Sequence, residues 1–186
     1  GCWGSAGEFS LQGLLEDAAA ALRLVSRYRH VDADRVGLLG FSLGGWIALW
    51  IALDWPAGVE RLVLADPAGL RDPSGMAREA AETLAHPTIE SMKEFNRRAR
   101  FHPRDIPERI WPLVVKRIES RPARDMVLAI TDDDFLDGKL AGLKPPTRLL
   151  WGEADRVLPP SMGKRFEAEV PGVRLELLRE CGHLPQ

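Results

Sequence analysis

The feature that most constrains the fold of this chain is the segment G-F-S-L-G at residues 40–44, which places a serine between two apolar stretches. Residues 36–41 are short, apolar and preceded by a polar turn, a pattern that predicts a buried parallel strand. Residues 46–53 are apolar nearly all round, as expected of a helix packed against a sheet. Glycines two positions before and after Ser42 would let the strand and the helix pass closely, with the hydroxyl exposed at the turn. The sequence therefore predicts an α/β fold with Ser42 as a nucleophile.

Three further residues complete the predicted site. Leu43 would begin the helix, so its backbone N–H could stabilise an oxyanion that forms beside Ser42. Asp155 and His183 each follow a stretch with strand-like patterning. Both therefore fall at the C-terminal end of a predicted strand, where open α/β sheets place their chemistry. A serine hydroxyl needs an imidazole to take its proton, and the imidazole needs a carboxylate on its other nitrogen. We predict that Ser42 is the nucleophile, His183 the base and Asp155 the acid that orients it.

The identity of the acid has two alternatives. Asp66 follows a predicted strand at residues 61–65, so it could also serve as the acid of the site. The competing interpretation of Asp66 is a turn residue before Pro67. Glu153 lies close to Asp155 in sequence and is a weaker candidate. Asp155 is the first prediction of the three.

Composition excludes several classes of function. A length of 186 residues allows one domain, with room for a subdomain. The net charge of −2, with arginines interspersed among acids, gives no support for nucleic-acid binding. Two cysteines, Cys2 and Cys181, do not suggest a disulfide framework, so a cytoplasmic location is the expectation. No apolar run approaches the roughly 20 residues of a membrane helix. The acids at 132–134 are interpreted as a solvated turn, and we expect neither a metal nor a cofactor.

Four motifs resemble those of the α/β-hydrolase superfamily: G-F-S-L-G-G, L-V-L-A-D-P-A-G, P-T-R-L-L-W-G-E-A-D-R-V-L-P and L-L-R-E-C-G-H. Within it, the chain is most similar to bacterial esterases and lipases of the monoacylglycerol-lipase-like branch. The resemblance implies a partial α/β-hydrolase fold, with a mostly parallel sheet flanked by helices. It also implies the order Ser, Asp, His for the catalytic residues. Because one helix precedes the strand before Ser42 and the chain stops soon after His183, we expect a piece of a longer hydrolase. The N-terminal strands and the last helix would be missing.

Residues 70–143 are rich in helix formers, are broken repeatedly by proline and contain no good strand pattern. In the resembled family, a helical insertion at this place is a cap over the active site. The predicted organisation is an incomplete hydrolase core of residues 1–69 and 144–186, with a helical cap at 70–143. Such a cap would exclude water and shape an apolar pocket.

Three aromatic residues are candidates to line that pocket: Trp46, Phe95 and Trp111. The competing interpretation for each of them is internal packing. The resemblance implies hydrolysis of a small-molecule carboxylic ester through an acyl-enzyme. The alternatives are a C–C bond hydrolase or amidase with the same catalytic residues, and a non-catalytic binding protein with a hydrolase fold. The sequence carries no indication of an oligomeric state or of acyl chain length.

Overall fold

The fold was taken from a computed structural model, which describes residues 10–119 and 122–184. Its strands form one parallel four-stranded sheet in the order β1-β2-β3-β4. The registers align Phe41 with Ala65 and Ala65 with Leu150, so the carboxyl ends of the strands share one edge. The strands are β1 (Gly37–Phe41), β2 (Arg61–Ala65), β3 (Thr147–Gly152) and β4 (Leu175–Leu178). The predicted parallel sheet is therefore confirmed.

The helices follow from capping and apolar patterning. Helix α1 begins after Ser10, whose Oγ accepts a hydrogen bond of 3.0 Å from the Gly13 N–H, as expected of an N-cap. Helix α2 follows β1, and α7 connects β3 to β4. The helices are α1 (Leu11–Val25), α2 (Leu43–Asp54), α3 (Met76–Ala85), α4 (Ile89–Ala99), α5 (Trp111–Glu119), α6 (Pro122–Ala129) and α7 (Pro160–Glu169). Helix α2 thus lies in the connection from β1 to β2, and α7 in the connection from β3 to β4, as expected for neighbouring parallel strands.

Among the described residues, the segment between β2 and β3 contains helices joined by turns and irregular stretches. Helices α3 to α6 lie in this segment, and none of its described residues belongs to a strand. Pro112 falls in the first turn of α5, where the chain restarts after a 3₁₀ turn at Glu108–Ile110. A proline is tolerated there because the first N–H groups of a helix have no intrahelical acceptor. The helical character of residues 70–143 is confirmed, while the division into a core and a cap stays a prediction.

Burial differs along the sheet. Strand β3 lies between two neighbours, and its residues Leu149 and Trp151 are 1% and 0% exposed. Strand β1 lies at the edge of the described sheet, and Leu39 is 76% exposed. The prediction of a strand at residues 36–41 is confirmed, but it is not buried as a whole: Gly40 is buried, Leu38 and Phe41 are partly buried, and Gly37 and Leu39 are exposed. An apolar run indicates a strand, whereas burial depends on what covers it.

Candidate active site

The chain reverses direction at Ser42, between β1 and α2. Ser42 has φ 50° and ψ −121°, a backbone conformation that residues other than glycine rarely adopt. Its N–H donates to the Ala65 carbonyl at 3.1 Å, and its carbonyl accepts from the Gly45 N–H and the Ala68 N–H, both at 3.0 Å. The turn is therefore fixed to the end of β2, and Ser42 is only half-buried.

Two glycines allow the close approach of strand and helix at this turn. A Cβ on Gly40 would lie 2.6 Å from the Gly44 carbonyl oxygen, and one on Gly45 would lie 2.7 Å from Pro67. A Cβ on Gly44 would meet no atom within 4 Å. The expectation that Gly44 is needed for the close approach is therefore wrong, because the tight contact is made by its neighbour Gly45.

Leu43 is the first residue of α2. Its N–H has no hydrogen-bond acceptor among the described residues. A free N–H at a helix N-terminus is a donor for an anionic oxygen, and the helix dipole adds to that preference. This geometry agrees with the predicted oxyanion donor, whose role stays a prediction.

The three predicted catalytic side chains meet at the carboxyl edge of the sheet. Ser42 Oγ lies 3.0 Å from His183 Nε2, and His183 Nδ1 lies 2.8 Å from Asp155 Oδ2. With its proton on Nδ1, the imidazole donates to the carboxylate and leaves Nε2 to accept from the serine hydroxyl. Asp155 and His183 are buried, at 3% and 4% exposure. We refer to Ser42, His183 and Asp155 as the triad.

Asp155 sits in a turn that supplies its charge with donors. Its Oδ1 accepts hydrogen bonds from the backbone N–H groups of Val157 at 2.8 Å and Leu158 at 2.9 Å. Hydrogen bonds from N–H groups stabilise the ionised form of a carboxylate. These backbone donors were not foreseen from the sequence, although an aspartate that bonds N–H groups two and three residues ahead is a common turn signal.

His183 is positioned by a ring contact and by the backbone of the residue that follows it. The imidazole lies 5.1 Å from the Phe41 ring, centroid to centroid, at an angle of 37°. The next residue, Leu184, donates its N–H to the Ala99 carbonyl at the end of α4, at 2.7 Å. Glu180, in the turn between β4 and His183, has φ 51°. The loop that carries the imidazole is thus fixed to β1 and to α4.

A second buried carboxyl lies beside the triad. Asp66 is 1% exposed, and its Oδ1 accepts a hydrogen bond of 2.7 Å from the Gly152 N–H. One ligand-type atom from each of Asp66, Asp155 and His183 lies within 4.8 Å of the others. Burial raises the pKa of Asp66 to about 7, and the Asp155 charge adds to the rise. The sequence offered Asp66 as an alternative to Asp155, but the structure brings both acids to the same place.

These three side chains are of types that bind metals, but their atoms are used otherwise. Both oxygens of Asp155 accept hydrogen bonds, as does Oδ1 of Asp66. The Nδ1 of His183 faces a carboxylate and its Nε2 faces the serine hydroxyl. We therefore interpret the cluster as a hydrogen-bonded network.

Two other candidates near the triad have different environments. Glu153 is exposed, so its carboxylate is solvated and outside the buried network. Burial raises the pKa of the Cys181 thiol, and the charges of Asp66 and Asp155 raise it further. A thiol with a raised pKa is a weak nucleophile at neutral pH, which agrees with the interpretation of Cys181 as a packing residue.

The three aromatic candidates are dispersed. Trp46 is 3% exposed, packs 5.1 Å from the Phe135 ring and donates its indole N–H to the Asp134 carbonyl at 3.1 Å. Phe95 on α4 is partly buried against the main core. Trp111 is 4% exposed and borders a cavity of about 340 Å³ whose lining includes no member of the triad. Substrate contact by these residues stays a prediction.

Comparison with known proteins gives the class to which the chain belongs. A model of the alpha/beta hydrolase family matches residues 1–186. The chain belongs to the alpha/beta hydrolase family, in agreement with the sheet and with the resemblance of its motifs.

Particular relatives differ in the reaction their names describe. The chain is 30% identical over 198 residues to a 2-hydroxy-6-oxononadienedioate/2-hydroxy-6-oxononatrienedioate hydrolase of Klebsiella pneumoniae, covering 99% of this chain and 68% of the relative. It superimposes on a protein provisionally called a lipase (lip1) from Acinetobacter baumannii with a TM-score of 0.75, at 19% identity, covering 97% of this chain and 63% of the other. It also superimposes on a meta-cleavage product hydrolase (CumD) from Pseudomonas fluorescens with a TM-score of 0.70, at 18% identity, covering 97% and 67%.

None of the described helices combines the length and apolar character needed to cross a membrane. The cytoplasmic location stays a prediction.

Proposed function

We propose that this chain carries the catalytic residues of a serine hydrolase, in which Ser42 attacks the carbonyl carbon of a small-molecule substrate. One observation carries the proposal: the Ser42 hydroxyl, the His183 imidazole and the Asp155 carboxylate form an unbroken series of hydrogen bonds of 3.0 Å and 2.8 Å. These distances fall within the range over which a positioned base takes a proton from its nucleophile.

The reaction would proceed in two halves. As Ser42 Oγ bonds to the carbonyl carbon, its proton moves to His183 Nε2, and the carbonyl oxygen becomes an oxyanion near the Leu43 N–H. His183 then gives that proton to the leaving group, and an acyl-enzyme on Ser42 remains. Water attacks the acyl-enzyme with His183 again as base, which releases the acid and restores the hydroxyl. Asp155 keeps the Nδ1–H oriented and stabilises the imidazolium in both halves.

For the substrate, we place a vinylogous diketone first, cleaved at a carbon–carbon bond next to a ketone. The support is the relative at 30% identity over 99% of this chain, whose name describes hydrolysis of a 2-hydroxy-6-oxo dienedioate. The leaving group would then be a carbanion stabilised by conjugation, and His183 would protonate carbon instead of an alcohol oxygen. The sequence analysis placed a carboxylic ester first, and the relative reverses that order. The ester is the second candidate because the same triad attacks both carbonyls.

The test is a substrate panel on the full-length natural protein, with vinylogous diketones, p-nitrophenyl esters and amides. We expect turnover of the diketone class to exceed ester turnover, and Ser42→Ala to abolish both by several orders of magnitude. The matched control is Ser161→Ala, because Ser161 is an exposed serine on α7 and its loss should leave turnover unchanged.

Labelling by a fluorophosphonate separates an enzyme from a binding protein. We expect the natural protein and Ser161→Ala to be labelled and Ser42→Ala to remain unlabelled. A natural protein that neither reacts with the probe nor turns over any member of the panel would contradict the proposed function.

A further inference from the structure

We propose that Asp66 is a positioning residue of this site: as a neutral carboxylic acid, it donates a hydrogen bond to the Asp155 carboxylate and holds it against His183. The inference rests on the proposed function, since Asp66 would act on the reaction only through Asp155 and His183. It assigns a role to the buried acid that is not a member of the triad.

The sheet fixes where Asp66 lies. The Asp66 N–H donates to the Leu150 carbonyl of β3 at 3.0 Å, which continues the β2–β3 ladder one residue past the end of β2. On the same side, the Gly152 N–H donates to Asp66 Oδ1 at 2.7 Å. These two bonds, one backbone and one side-chain, fix the carboxyl group between the end of β3 and the turn that carries Asp155.

The two carboxyl groups of the cluster carry one negative charge and one proton between them. A carboxyl oxygen of Asp66 lies within 4.8 Å of one of Asp155, both side chains are buried, and a hydrogen bond between the two groups requires that one of them carries a proton. Two ionised carboxylates in contact inside a protein repel each other, so the pair retains a single negative charge over a wide pH range.

The hydrogen-bond donors decide which acid keeps the proton. Asp155 accepts from two backbone N–H groups and from the His183 Nδ1–H, and all three bonds favour its ionised form. Asp66 accepts from one backbone N–H, and burial, which disfavours the charged form, is the largest influence on its pKa. The proton therefore belongs on Asp66.

The other titratable groups that face Asp66, among the described residues, are His183 and Cys181. The His183 charge would favour ionisation of Asp66, but burial and Asp155 oppose it with larger effect. The Cys181 thiol is neutral, because its own pKa is raised. Neither group removes the reason for Asp66 to stay protonated.

A plain turn role would not require this carboxyl group. Asp66 has φ 43°, a conformation that asparagine and glycine also accept. Two variants therefore separate donation from turn geometry without adding backbone strain. Asp66→Asn retains an N–H donor toward Asp155 and an acceptor for the Gly152 N–H, whereas Asp66→Gly removes both.

The experiment measures kcat and KM of the natural full-length protein and both variants near pH 6, on the best substrate of the panel. We expect Asp66→Asn to keep kcat within about threefold, and Asp66→Gly to lose on the order of 30-fold in kcat with KM within about twofold. A loss confined to kcat, rescued by the amide, identifies a group that acts on the transition state by donating a hydrogen bond.

An infrared difference spectrum between the natural protein and Asp66→Asn tests the protonation state without relying on Asp66→Gly. We expect the natural protein to show the carbonyl stretch of a protonated carboxylic acid that the variant lacks. Absence of that band would overturn the inference, as would full kcat in a folded Asp66→Gly or an equal loss of kcat in both variants.

Failure of the proposed function would be distinguishable from failure of this inference. If the natural protein is inactive and unlabelled by the fluorophosphonate, the proposed function fails first. If the natural protein is active and Ser42→Ala is inactive, but the Asp66 variants do not give the expected kcat values, only the positioning role of Asp66 fails.

Discussion

Two turns at the same edge of the sheet each contain a buried aspartate, and the two carboxyl groups differ in the number of hydrogen-bond donors around them. The turn after β3 surrounds Asp155 with two backbone N–H donors and the His183 Nδ1–H. Asp66, in the turn after β2, has one backbone donor, the N–H of Gly152 at the end of β3, and is 1% exposed. Both side chains are almost fully buried, at 3% and 1% exposure, so burial alone does not determine the charge of a carboxyl group.

The difference shows how neighbouring strands can supply one ionised and one neutral acid to a single histidine. Burial favours a proton on both carboxyl groups, and the N–H groups that converge on Asp155 favour its ionised form instead. A reaction that forms an imidazolium at His183 benefits from the ionised acid directly, and from the neutral acid through its neighbour.

The largest effect is expected from removing the charge of Asp155. We expect Asp155→Asn to lower kcat by about 10⁴-fold, because an amide that donates toward Nδ1 favours the wrong imidazole tautomer. The measurement is steady-state kinetics, with thermal melting to show that the variant remains folded. Activity within tenfold of the natural protein would show that another acid, with Asp66 the first candidate, orients His183.

The second prediction concerns Asp66 and the dependence of the free energy of unfolding on pH. Asp66 has a pKa near 7 in the folded protein, above its ordinary value of 3.8. Below pH 3.8 both the folded and the unfolded states hold the proton; between 3.8 and about 7 only the folded state does. The contribution of Asp66 to the free energy of unfolding therefore falls as pH rises through this window and is constant above it.

Asp66→Asn does not titrate, so its stability relative to the natural protein isolates this contribution. We expect the free energy of unfolding of Asp66→Asn, relative to that of the natural protein, to increase by about 3 kcal/mol from pH 5 to pH 8, at about 1.4 kcal/mol per pKa unit. Urea unfolding at both pH values measures it. An advantage that does not change with pH would contradict a neutral Asp66 in the folded state.

The smallest effect comes from the acid that lies in the same turn as Asp155 but faces solvent. Glu153 is exposed, and we expect Glu153→Gln to change kcat by less than about twofold because solvent screens its charge. The assay is the same as for Asp155→Asn. A large loss would show that Glu153 contributes to the reaction despite its exposure.

Much of this site could be predicted from the sequence because its signals are local. A serine flanked by glycines between two apolar segments specifies the turn at Ser42, and the ends of strands specify where Asp155 and His183 emerge. The four parallel strands and the helical segment between β2 and β3 follow from apolar periodicity and proline placement in the same way.

What could not be predicted depends on how distant segments align. The contact between Asp66 and Asp155 results from the register of β2 against β3, which no local pattern encodes. The exposure of Leu39 depends on what covers β1, which an apolar run does not reveal. The role of Gly45 in place of Gly44 depends on where Pro67 lies once the strands are paired.

Among the described residues other than glycine, positive φ occurs at Ser42, Asp66 and Glu180. Each lies at the edge where the triad assembles, and such conformations disfavour folding by about 1–3 kcal/mol apiece. The backbone conformations that place side chains at this site therefore lower the stability of the fold. Directed evolution for melting temperature alone should favour glycine at Ser42 and Asp66, and would yield more stable proteins that had lost most of their turnover.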